Sequence, residues 1–117
     1  MGKIDNMLSI IKEAVEEKKG IDLEILDISK MTSIADYFVI VSGNSSTQVT
    51  SIADEVEGKM SKEGIEPISG KEGYKSGRWI LIDYGDIIVH IFHKDEREFY
   101  NLERLWSQFE RENTNRG

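Results

Sequence analysis

The chain has 117 residues, 38% of them apolar and 32% charged, which is one domain of globular composition and too apolar for a disordered chain. It contains no cysteine, which excludes disulfides and thiolate metal sites. Its 15 Lys and Arg stand against 22 Asp and Glu, and the resulting charge of −7 repels a phosphate backbone and favours a basic protein partner.

Ile4, Met7, Leu8, Ile11, Ala14, Val15 and Lys18 recur at three- and four-residue spacing, with Asp5, Lys12, Glu13, Glu16 and Glu17 opposite. That spacing predicts an amphipathic helix stopped at Gly20. Leu23–Ile28 reads as a strand and Met31–Ala35 as a tight turn or a short helical turn. Tyr37–Val41 is apolar at every position, a strand covered on both faces. Ser42-Gly43-Asn44-Ser45-Ser46 breaks it, and Ser45 or Ser46 is placed to cap a helix carrying Val49, Ile52, Ala53, Val56 and Met60. Gly64 ends that helix.

Pro67–Arg78 is glycine-rich and irregular, with room for a short edge strand at Ile65–Ser69. Trp79–Tyr84 and Ile87–Phe92 are strands joined by the turn Tyr84-Gly85-Asp86, an antiparallel hairpin. After Lys94 the pattern is helical again, with Phe99, Leu102, Leu105 or Trp106, and Phe109 in one stripe, and 112–117 is a polar tail expected to fray. The expected fold is α/β (α+β): a mixed sheet of about five strands with helices packed on it. The opening residues show no long apolar run and no cleavage pattern, so no signal peptide is expected, and Asn6 stands where an N-myristoylation signal needs Ser or Thr. No apolar run reaches membrane-spanning length, so the cytoplasm is the expected compartment.

Candidate chemistry is sparse. His90 and His93 are three apart, so a continuous strand points them to opposite faces and they cannot share a metal. The Ser42–Ser46 turn lies between a strand and a helix, where backbone amides can hold a phosphate, but it lacks the Gly-Lys-Ser/Thr ending of a phosphate loop. Nucleotidyl transfer needs an acid–apolar–acid triplet after such a turn, to share Mg²⁺. Asp22-Leu23-Glu24 precedes the turn instead, and neither hairpin strand supplies one. No metal, cofactor or catalytic residue is assigned. Lys71, Lys75 and Arg78 form a loop patch that reads as solvated charge, with RNA contact as a secondary reading. In Trp79–Tyr84, alternation puts Ile80, Ile82 and Tyr84 on the core side and Trp79, Leu81 and Asp83 on the other. A tryptophan there is either a core residue with an anchored indole N–H or the anchor of an interface.

Asp27-Ile28-Ser29, Ser33–Ile40, Ser42-Gly43-Asn44-Ser45, Gln48, Ile52-Ala53-Asp54, Glu72-Gly73 with Gly77, and above all Trp79–Phe92 run in a familiar order. With Arg97, Phe99-Tyr100, Leu102-Glu103 and Leu105-Trp106, the chain resembles the ribosomal silencing factors, or Iojap-like proteins, over about residues 4 to 108. The resemblance implies a nucleotidyltransferase-like fold without its catalytic acids, and no enzymatic activity. It implies binding to the large ribosomal subunit through its fourteenth protein (the uL-fourteen family), steric exclusion of the small subunit, and repression of translation under nutrient limitation. Organelle relatives are linked to subunit assembly, and homodimers are common in the family. The resemblance favours the interface reading of Trp79, Leu81 and Asp83. Asp36 and Tyr37, at the start of a central strand, and Tyr84, at the hairpin tip, are added as partner-binding candidates.

Overall fold

The computed structural model describes residues 2–100. Helix α1 (Lys3–Glu17) buries Met7, Ile11, Ala14 and Val15, the stripe set by the spacing. Lys19, at φ 58°, makes the left-handed turn after it. Gly20 is needed there for space: a Cβ would lie 2.6 Å from Val15 and 2.7 Å from Val41. Strands β1 (Ile21–Asp27) and β2 (Tyr37–Gly43) follow, then α2 (Ser46–Lys62), β3 (Trp79–Asp83), β4 (Ile87–His93) and α3 (Lys94–Tyr100). The expected stripe of the last helix and the polar tail lie outside the described residues, apart from the backbone at Phe99.

Among the described residues the sheet has four strands in the order β1-β2-β4-β3. β2 and β4 are parallel, and the outer pairs are antiparallel. The sheet is therefore mixed, as expected, but the edge strand at Ile65–Ser69 does not form. Pro67 lacks an N–H, and glycines at 64, 70, 73 and 77 break the segment. Instead the loop touches the β3 edge at two points. Ile68 donates to the Asp83 carbonyl (2.8 Å), and Glu72 and Leu81 exchange a pair of backbone bonds. Gly73 and Gly77 have positive φ, and a Cβ on Gly73 would sit 2.0 Å from the Trp79 carbonyl oxygen. Only glycine lets the loop lie this close to the strand.

The main core lies between one sheet face and the two long helices. Val39, Val41, Ile80, Ile82, Ile87, Val89 and Ile91 meet α1 and α2 there. Lys59 ties the helices together through Glu17 (2.7 Å) and Glu13 (3.2 Å). The opposite face carries a smaller cluster of Leu26, Ile28, Ala35, Ile40, Ile88 and Phe92, flanked by half-buried Met31, Phe38, Trp79 and Leu81. Within β2, Val39, Ile40 and Val41 are buried, as a doubly covered strand should be, while Tyr37 and Phe38 are only half-buried.

Candidate protein-docking face and its neighbours

Strand register assembles the second face. Trp79 pairs with Phe92, Leu81 with His90 and Asp83 with Ile88. Across β4, His90 pairs with Ile40 and Ile88 with Phe38. Paired residues point to the same side. Trp79, Leu81, Asp83, His90 and Phe38 therefore share one face, away from α1 and α2.

Trp79 is held in part by a ring stack and a hydrogen bond. Its ring stacks on Phe92 with centroids 4.8 Å apart and an interplanar angle of 26°. Its indole Nε1–H donates to His90 Nδ1 at 3.1 Å. The sequence offered a core tryptophan or an interface anchor, and the indole N–H is indeed anchored while the side chain stays half-exposed. His90 is 4% exposed, and burial pulls its pKa down to about 4, so the ring is neutral. With Nδ1 accepting, the proton sits on Nε2, a buried atom with no hydrogen-bond partner among the described residues. Phe38 meets the His90 ring edge-on at 4.5 Å.

The other predicted residues separate. Half-buried Asp83 accepts the Gly85 N–H at 2.8 Å, so its carboxylate shapes the hairpin turn. Asp36 and Tyr37 both donate backbone N–H groups to the Asp86 carbonyl, at 2.9 and 3.1 Å. They are thus stitched to the same hairpin, with Tyr37 on the helix-covered side. Tyr84 is 7% exposed inside the main core, and burial drives its phenol pKa well above the ordinary range. It is not a surface residue, because its strand parity carries it under the helices. Phe38 was missed: pairing two strands apart places it beside His90, and no signal local to its own segment reveals that.

The Ser42–Ser46 turn is already satisfied from within. Ser45 Oγ caps α2 by accepting from Gln48 N (3.1 Å), and Gln48 Oε1 accepts from Asn44 N (2.6 Å). Gln48 Nε2 donates back to the carbonyls of Lys18 (3.1 Å) and Lys19 (2.9 Å), where α1 ends. A phosphate would have to displace that amide. In the loop patch, Lys71 pairs with Glu57 and Arg78 with Glu96 (2.7 Å). Among the described residues, no group of three or more His, Cys, Asp or Glu could hold a metal ion, and no helix is long and apolar enough to cross a membrane.

The chain and its fold have counterparts in known proteins. Residues 2–116 match the family model described as ribosomal silencing factor during starvation. The chain is 44% identical over 101 residues to a ribosomal silencing factor of Bacillus subtilis, covering 86% of this chain and 85% of that one. It is 47% identical over 100 residues to that of Halalkalibacterium halodurans, covering 86% and 85%. The chloroplastic Iojap protein of Zea mays is 30% identical over 96 residues, which cover 82% of this chain and 41% of that one. Among solved structures, a Chromobacterium violaceum protein superposes with a TM-score of 0.86 at 36% identity, over 91% of this chain and 88% of that one. On the family match and these identities together, the chain belongs to the ribosomal silencing factor family.

Proposed function

We propose that this protein represses translation without catalysing a reaction. It binds the large ribosomal subunit through the basic fourteenth protein and excludes the small subunit by occupying the joining surface. The observation that carries the reading is the aromatic–aliphatic surface of Trp79, Leu81 and Phe38 on the sheet face turned away from the long helices. Asp83 stands at its edge, and Asp36 lies beside the hairpin. Half-exposed aromatics on a rigid sheet are the residue type that dominates interface energetics. A chain of charge −7 is steered toward a basic partner. Family membership supplies the ribosome, and the compartment that follows is the cytoplasm. A Trp79→Ala variant is expected to bind the isolated fourteenth protein about thirtyfold more weakly, about 2 kcal/mol, with unchanged circular dichroism. Isothermal titration measures it. Unchanged affinity would remove Trp79 from the interface, and lost structure would return it to the core.

A further inference from the structure

We propose that His90 is a positioning residue for docking: its Nδ1 fixes the in-plane orientation of the Trp79 indole, so that the anchor is set before the partner arrives. The inference rests on the docking role of the Trp79 face.

Trp79 lies on the edge strand β3, where a large side chain has rotamers to lose on binding. Stacking on Phe92 sets the plane of the ring; a stack of this kind does not by itself restrict the freedom to turn within that plane. A hydrogen bond from Nε1 to a group on the neighbouring central strand removes that freedom. The acceptor is itself held: Phe38 packs edge-on at 4.5 Å from the His90 centroid. Ordering an interface side chain in advance lowers the entropic cost of association.

The fold has no evident need of a histidine here. The site is apolar, with Ile40, Ile88 and Phe92 around it. Only one ring nitrogen finds a partner among the described residues, and the other is buried unpaired. Burying an unsatisfied polar atom is destabilising, and an apolar side chain of similar size would avoid that cost. A buried polar ring that touches a surface anchor, in a site that an apolar side chain could fill, is better explained by what it does to the anchor.

The test compares His90→Leu, His90→Asn, His90→Gln and Trp79→Ala in the full chain. Binding is measured to isolated large ribosomal subunits. Stability is measured by thermal unfolding, and the Trp79 indole N–H resonance, assigned by its loss in Trp79→Phe, reports the hydrogen bond. His90→Leu is expected to melt no lower than the parent, to bind about tenfold more weakly, and to shift the indole resonance upfield. His90→Asn places an acceptor on the same carbon that carries Nδ1, so it recovers most of the affinity and the resonance. His90→Gln carries its acceptor one bond further out and does not; this pair decides the matter if the leucine variant fails to fold. Full-strength binding by His90→Leu while Trp79→Ala is defective overturns the inference and leaves the docking face standing. Equal loss of stability and affinity in all three His90 variants also overturns it, since that marks a merely structural role. Undiminished binding by Trp79→Ala removes the docking face itself, and the inference with it.

Discussion

At the scale of single residues, His90 links acid stability to the geometry of the open face. Burial lowers its folded pKa to about 4, against about 6.5 when exposed. Between those values the unfolded chain takes up a proton that the folded chain refuses, so stability falls as pH drops from about 6.5 toward 4 and is fully present above 6.5. The full span corresponds to about 3 kcal/mol. Urea unfolding of the parent and His90→Leu at pH 7 and pH 4 should show the parent losing about that much more than the variant. Parallel losses would mean that the ring titrates freely. The parity of Trp79, Leu81 and Asp83 was legible from the sequence because strand alternation is local. Tyr84 obeys the same alternation, which buries it, and its position at a hairpin tip misled as a sign of exposure. The Trp79–His90 bond was not legible, because it needs the register of the β3–β4 hairpin between residues 11 apart.

At the scale of elements, the junctions are more specific than the helices and strands they join. Gln48 reaches from the first turn of α2 to the end of α1 and to the Asn44 amide, closing three otherwise open backbone groups. A Gln48→Ala substitution should cost about 0.5–1.5 kcal/mol in chemical denaturation. Gln48→Glu should fare no better, because a carboxylate can accept from Asn44 but cannot donate to the two carbonyls. A loss under about 0.5 kcal/mol in the alanine variant would show that water replaces the amide without penalty. Helix spacing and the Ser45 cap were readable because each depends on residues within one turn. The edge strand at Ile65–Ser69 does not form, because Pro67, which excludes a central strand but permits an edge one, stands among glycines that favour a loop. Their real consequence is a loop lying on the β3 edge at Ile68 and Glu72. That contact protects an edge that would otherwise invite pairing with another chain.

At the scale of the molecule, the architecture is asymmetric. One face of the sheet is sealed by α1 and α2, while the other keeps half-exposed aromatic and aliphatic side chains around a buried histidine. Amphipathic patterning announces the first arrangement, since the same residues that fix helix period also fix the covered face. The second is announced only by residue types, and becomes a surface once β3, β4 and β2 are set in register. The proposed mode of action relies on affinity and bulk, so it should be stoichiometric. The most direct measurement is sedimentation of isolated large ribosomal subunits with the protein, followed by addition of small subunits. The account predicts co-sedimentation with the large subunit and a fall in joined ribosomes in proportion to occupancy, both lost in Trp79→Ala. Absence from the large-subunit fraction, or normal subunit joining at full occupancy, would contradict it.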